Sequence, residues 1–261
     1  MRDAAHRLVE RRAFRSRHDP DDVWRCCAAW PRTLMNKWNG REFAARNGCE
    51  LPELYWTGSD HEHAPLESLP GAFVIRPVFG AMKRGVAVVA DGRELLYGGD
   101  TSHAALRERM PRSRLVRRPA PVLIEEFVRS DGRGDVLPLE CKCHTFGDHV
   151  EAVERIERTA ALEGRHRYYT ARWEPIPDAI NTYLAPGERL HDPPACLGPM
   201  LDLARAIGAQ LGTYMRIDFF LAGDRCLFNE FSSVPLLGQK YTPYCDRVWG
   251  EVWTERLGDA V

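Results

Sequence analysis

Between Met215 and Ser232, charged side chains sit inside one of the most apolar stretches of the chain. Arg216 and Asp218 flank Ile217 and precede Phe219, Phe220 and Leu221; after Ala222-Gly223-Asp224 come Leu227 and Phe228, then Asn229-Glu230-Phe231-Ser232. Side chains on a strand alternate with a period of two, so Arg216 and Asp218 share a face. A turn at Ala222 to Asp224 folds the second run back as a hairpin partner, bringing Glu230 alongside Asp218 and Ser232 onto the face of Glu230. Carboxylates facing one another across strands repel unless a cation lies between them. Hard oxygen ligands suit Mg²⁺, which is usually held by one or two carboxylates plus substrate phosphates. Arg216 would add positive charge for a phosphoryl or acyl-phosphate oxygen. A cross-strand salt bridge from Arg216 to Glu230 on a solvated face explains the spacing equally well. The apolar neighbours favour a cleft, because charges set among them need partners.

The hairpin belongs to a larger β-rich pattern. Strands are expected at Leu51–Trp56, Ala72–Ile75, Gly85–Ala90 and from Val122, then as a hairpin of Val136–Thr145 with Val150–Ile156. Between these and the Met215–Leu221/Cys226–Phe231 hairpin lies an amphipathic helix within Pro194–Leu211, with Leu201, Ala204, Ile207, Gly208 and Leu211 on one face. Residues 1–35 read as helical and basic, and a short helix follows from Asn36 to about Gly48. Runs of strands with one long helix, in place of regular βαβα alternation, predict an α+β fold and not a doubly wound sheet.

Composition removes several classes of function. A net charge of −1 over 261 residues gives no global reason for a nucleic-acid partner, and the arginines before residue 25 and the run Arg112 to Arg118 read as solvated faces. No apolar run approaches the roughly 18 residues of a membrane span. The eight cysteines, in a chain whose arginine-rich start lacks the apolar stretch of a signal peptide, read as reduced thiols, so the expected location is cytoplasmic.

Three further constellations carry chemistry. Phe73-Val74-Ile75-Arg76 leads into a loop with Gly80 and Gly85 near its ends and Lys83 and Arg84 inside, which suits phosphate or an ordinary basic hairpin. Val122-Leu123-Ile124-Glu125-Glu126-Phe127-Val128 reads as a hinge or as an edge strand with exposed acids. Leu139 to His144 puts Glu140, Lys142 and His144 on one strand face and Cys141 and Cys143 on the other; the cysteines lack zinc-site spacing and read as buried small hydrophobes. The segment with Arg155, Arg158, Arg165, His166, Arg167 and Arg172 is strongly cationic and is expected to meet an anionic substrate or to be a solvated loop.

In this order the signals resemble the ATP-grasp superfamily, and within it the TupA-like branch associated with teichuronopeptide and polysaccharide biosynthesis. The resemblance runs from Asn36-Lys37-Trp38-Asn39-Gly40-Arg41-Glu42-Phe43, through Lys142-Cys143-His144-Thr145-Phe146-Gly147 and Arg172-Trp173, to Glu230-Phe231-Ser232-Ser233-Val234-Pro235 and Tyr241-Thr242-Pro243. It covers about residues 35–250, with its most specific part at 214–243. It implies two α+β lobes enclosing ATP: an N-terminal segment at 1–62, a small lobe at 63–124 and a large lobe with the metal site at 125–261.

The implied cofactors are ATP and Mg²⁺. Arg76 would meet the phosphates or the adenine, Gly80, Lys83 and Gly85 the phosphates, Glu125, Glu126, Phe127 and Val128 the adenine, Glu140 the ribose and Lys142 a phosphate. Asp218 and Glu230 would hold Mg²⁺, and Arg216 and Lys142 are the expected catalytic cations. Lys37, Arg41, Arg158, Arg172 and Ser232 are the substrate candidates. Arg76 replaces a lysine usual in the family, and Ser232 an asparagine, which leaves one metal ligand short. The implied activity is an ATP-dependent carboxylate–amine ligase acting through an acyl phosphate, with a phosphotransferase (kinase) of the same fold as the alternative. The partners are small-molecule carboxylate and amine substrates, with no nucleic acid and no membrane insertion. The oligomeric state, a homodimer included, stays open.

Overall fold

The computed structural model describes residues 13–80, 83–111, 120–130 and 136–258. The arginines up to Arg12, the basic run Arg112 to Arg118 and residues 81–82 of the glycine loop lie outside these.

Residues 13–35 hold less helix than their sequence suggests: one α-turn at Asp21–Trp24 and a 3-10 turn at Trp30–Met35. Pro20 and Pro31 each begin a new turn, which their missing N–H permits at a helix start and forbids further in. The buried Arg15 side chain donates to the Val23 carbonyl, and the Arg15 backbone amide donates to Asn39 Oδ1 at 2.9 Å, which ties the segment to helix α1, Lys37–Arg46. Asn36 caps α1 by accepting from the Trp38 and Asn39 amides at 3.0 and 3.4 Å.

Two antiparallel-rich sheets follow. The first contains β1 (Leu54–Gly58), β2 (Ala72–Pro77), β3 (Ala87–Ala90), β4 (Arg93–Glu94) and β5 (Val122–Glu126), ordered β1-β5-β2-β3-β4. Helix α2, His103–Arg109, buries Leu106 in the same core as Phe73, Ile75 and Val122. Strand β1 lies before the 62/63 boundary read from the sequence, and β5 runs across the 124/125 boundary.

The second sheet contains β6 (Leu139–Phe146), β7 (His149–Arg158), β8 (Gly164–Tyr169), β9 (Ala185–Pro186), β10 (Tyr214–Ala222) and β11 (Arg225–Ser232), ordered β11-β10-β6-β7-β8-β9. Helix α3, Leu197–Leu211, packs its apolar stripe of Leu201, Ala204, Ile207 and Leu211 on the outer face, over Cys141, Cys143, Ile217 and Phe219. Burying each such leucine or isoleucine contributes about 1.5–3 kcal/mol. The approach is tight where α3 crosses the β6–β7 turn: a Cβ added at Gly208 would lie 2.0 Å from the Gly147 carbonyl oxygen. A last helix, α4 (Pro243–Leu257), starts at the Thr242 cap and seats Trp249 against His144 and Phe146. The inner face of this sheet carries Glu140, Lys142, Arg216 and Glu230 toward the first sheet.

Candidate active site between the two sheets

A cleft of about 410 Å³ opens where the two sheets meet. Its walls come from β2 and β3, from β5 and the hinge after it, and from the inner faces of β6, β10 and β11. One end is apolar, lined by Val74, Val86, Val88, Leu96, Phe127 and Leu137. The other end is a network of buried charges.

Asp218 is the anchor of that network, with none of its side chain exposed. Register explains its partners: Lys142, Asp218 and Glu230 are direct neighbours across β6, β10 and β11, and paired residues project to one side. Arg216 grips Asp218 with two hydrogen bonds, Nε to Oδ1 and Nη2 to Oδ2, each 2.7 Å. Lys142 Nζ lies 3.0 Å from Asp218 Oδ2 and 3.2 Å from Glu140 Oε2. The other oxygen of Glu140 takes Arg158 Nε at 2.9 Å and faces Lys83 Nζ at 3.6 Å. Glu140, expected at the ribose, is thus the hub of three cations. Burial alone would raise its carboxyl, yet Lys142, Arg158 and Lys83 hold it well below the usual range.

Glu230 turns into the cleft with 34% of its side chain exposed, 3.7 Å from Arg216 and 3.8 Å from Lys37. Against the effect of burial, Lys37, Lys142 and Arg216 bring its carboxyl down to about 2. Lys37 is lowered as well, its ammonium destabilised by burial despite Glu230. The Arg216–Glu230 salt bridge considered from the sequence is therefore the longer of two contacts; the close one is to Asp218.

A register shift after Asp218 places one extra residue, Asn229, on β11. Such a bulge re-aims side chains, and here adjacent Asn229 and Glu230 both face the cleft. Arg76 of β2 donates 2.9 Å hydrogen bonds to both the Asn229 side-chain oxygen and its backbone carbonyl, tying the first sheet to the second. Its guanidinium also lies 3.5 Å from Glu125, whose other oxygen accepts from Arg41 at 2.6 Å.

The expected site residues divide accordingly. Arg76, Gly80, Lys83, Glu125, Glu126, Phe127, Val128, Glu140, Lys142, Arg216 and Glu230 line the cleft, and so do Lys37, Arg158 and Ser232 of the substrate candidates. Gly85 does not; its left-handed backbone (φ 74°) turns the loop behind Pro77. Arg41 stays behind Glu125, and Arg172 is exposed in the turn after β8, away from the cleft. Asn229, Tyr183, Gln239 and Lys240 line the cleft and were missed. The bulge hid Asn229, since strict alternation turns it away. Lys240 carried no sequence signal; it holds a left-handed backbone (φ 70°) of the kind that collects at functional sites.

Whether these residues suit Mg²⁺ turns on their free oxygens. Glu230 offers a carboxylate to the cleft, whereas both oxygens of Asp218 are engaged by Arg216 and Lys142. Among the described residues no group of three or more His, Cys, Asp and Glu is gathered for a metal. The set fits an ion carried mainly by nucleotide phosphates with Glu230 as its protein carboxylate, the usual manner for Mg²⁺.

No curated protein matches the chain in sequence. Solved structures do match in fold. D-alanine–D-alanine ligase from Bacillus anthracis aligns at 17% identity and a TM-score of 0.51, over 86% of this chain and 65% of that one. The same enzyme complexed with ATP gives 16% identity and 0.50, over 83% and 60%. D-cycloserine synthetase DcsG gives 16% identity and 0.50, over 88% and 73%. The chain thus spans under two thirds of the D-alanine–D-alanine ligase chains, and at these identities the likeness is one of fold. The family model described as TupA-like ATP-grasp matches residues 33–254, and the chain belongs to the TupA-like ATP-grasp family.

Proposed function

We propose that the chain is an ATP- and Mg²⁺-dependent carboxylate–amine ligase that works through an acyl phosphate. The observation that carries this reading is the division of the cleft. Eight lysines and arginines line it against four glutamates, beside the apolar end described above. A nucleoside triphosphate is divided in the same way, into a flat apolar base and a polyanionic tail.

In this reading the base enters the apolar end against the hinge Glu125–Val128, with the triphosphate along Arg76, Lys83 and Lys142. Glu140 orders three of the cations instead of reaching the sugar. Glu230 would hold Mg²⁺ together with the phosphates, and the ion would supply positive charge to the transferring phosphoryl group; Asp218 would join only by exchanging an Arg216 or Lys142 contact. A substrate carboxylate oxygen attacks the γ-phosphorus, the bond to the β–γ bridging oxygen breaks and ADP leaves. An amine nitrogen then attacks the acyl carbon, the carbon–oxygen bond to phosphate breaks, and the amine proton leaves with phosphate or solvent. Arg216, fixed by two bonds to Asp218, points its charge at both developing oxyanions. Ser232, Tyr183, Gln239 and Lys240, which line the same cleft, are the substrate-side groups.

The test measures ADP formation with amino acids, peptides and uronic acids, singly and in pairs. ADP release that requires both a carboxylate and an amine supports the ligase. A stable phosphorylated product from a single substrate would make the chain a phosphotransferase instead.

A further inference from the structure

The cationic segment on β7 and β8 is not one patch. Strand alternation sends Arg158 into the nucleotide cleft and turns Arg155, Arg165 and Arg167 to the outer face, where a second groove of about 810 Å³ lies. The two clefts stand back to back through the sheet: Leu139 and Leu221 line the outer one, and their neighbours Glu140 and Phe220 the inner one. The outer groove plays no part in the proposed reaction.

Its charges are unevenly answered. Arg155 and Arg167 are direct partners across β7 and β8, an arrangement of like charges that is unfavourable by itself. Arg155 is satisfied by Glu157 at 2.5 Å, and Arg165 faces Glu188 at 3.7 Å. Among the described residues Arg167 meets only backbone, the carbonyls of Gly187 and Glu188, and its buried Nε has no hydrogen-bond partner there. Arg189, on the wall beside these carbonyls, is exposed and has no hydrogen bond or ion pair among the described residues. Both act on His191, whose imidazole is lowered by burial first, then by Arg155, Arg189 and Arg167, against Glu157. The wall is held in place: the His191 amide donates to Tyr169 Oη at 3.1 Å, and its carbonyl accepts from Trp173 Nε1 at 2.8 Å.

Beside these guanidinium groups the lining includes three leucines, of which Leu190 is exposed, Leu139 half-buried and Leu221 buried. Leu190 is 57% exposed on the wall, and Leu139 and Leu221 form the floor. A ligand matching this surface alternates carboxylates with aliphatic side chains. Glu157, Glu188 and Asp192 stand among the arginines, which opposes a continuous polyphosphate backbone and favours spaced carboxylates.

We propose that the outer groove docks an acidic peptide segment, with Arg167 and Arg189 taking its carboxylates and Leu190, Leu139 and Leu221 its aliphatic side chains. This site is independent of the chemistry in the inner cleft, and ADP formation reports on that chemistry separately.

Fluorescence anisotropy of a fluorescein-labelled Glu-Leu-Glu-Glu-Leu-Glu peptide, titrated with the full chain, tests it. The expected result is saturable binding with Kd below about 1 mM, roughly tenfold weaker for the Gln-Leu-Gln-Gln-Leu-Gln peptide and for Arg189→Glu, and unchanged by ATP. Arg189→Glu alters an exposed side chain that has no hydrogen bond among the described residues, so the variant keeps its fold and its circular dichroism spectrum. Absence of saturation, equal binding by Arg189→Glu, or displacement of the peptide by ATP would overturn the proposal. Tighter binding of a single-stranded oligonucleotide at the same arginines would overturn it as well.

Discussion

Lys142 Nζ stands 3.0 Å from Asp218 Oδ2, one strand over, and the two are nearly sealed from solvent, at 7% and 0% side-chain exposure. Lys142 also reaches Glu140, and Asp218 also holds Arg216, so this pair joins the cation cluster to the arginine aimed at the cleft. The coupling makes the pair a structural unit as well as a chemical one.

Lys142→Met is expected to lower ADP formation about 100- to 1000-fold, the effect of losing one charge-stabilising donor. It also leaves Asp218 and Glu140 short of a partner in a buried site, which costs about 3–5 kcal/mol of stability. Steady-state kinetics and a denaturant midpoint measured on the same preparation check both parts. A variant that keeps parental activity would remove Lys142 from the machinery.

Arg76→Lys keeps the charge and loses the two-pronged grip on Asn229. The apparent ATP affinity should fall by about tenfold, with Asn229→Ala giving a similar loss and the double variant little more than either, since neighbours in one contact are not additive. Isothermal titration of the nucleotide against the four proteins decides; fully additive losses would break the link.

Stability should decline on acidification in two stages. Burial lowers the His144 imidazole from 6.5 to about 3, so the unfolded chain binds a proton that the folded chain refuses, and stability falls as pH drops below 6.5. Glu154 and Glu230 both lie near 2 instead of 4.5. Burial opposes both shifts; in Glu154 the hydrogen bond from His166 and the charge of Lys142 together outweigh it, and in Glu230 the cations Lys37, Lys142 and Arg216 do so. Their stabilisation is whole above 4.5 and is lost as pH falls toward 2. Urea midpoints from pH 8 to 3 should show the bend near 6.5 become shallower in His144→Gln, by up to about 1.4 kcal/mol per pH unit, with His191 keeping a smaller share.

Gly208→Ala places a methyl group on the Gly147 carbonyl. Helix α3 must shift off the β6–β7 turn, at a cost of about 1–3 kcal/mol, read as a lowered melting temperature. An unchanged Tm would mean that the helix does not sit as closely as the geometry requires.

Much of this protein can be read without coordinates. The period-two alternation at Arg216–Asp218 and Glu140–Lys142, and the three-and-four spacing of α3, are local properties of the chain. They place charged and apolar side chains on opposite faces whatever those faces meet. The order of these segments was enough to recognise the family. Helix α4 was not among the expected elements: Thr242 as cap and Pro243 as first residue mark its start, but no strong apolar stripe runs along it.

The rest depended on contacts between segments far apart in sequence. One inserted residue at Asn229 breaks the alternation and creates the Arg76 bridge, and nothing local marks a bulge. Gly85 and Arg41 carried the right chemistry in the right motif, yet the loop path and Glu125 keep them out of the cleft. The six cationic residues from Arg155 to Arg172 looked like one surface because sequence order places them together; the sheet, having two faces, separated them. Local sequence therefore determined which side of each strand a charge occupies. Tertiary packing decided which charges meet, because a pairing energy depends on distance and burial, and both are set only when the sheets come together.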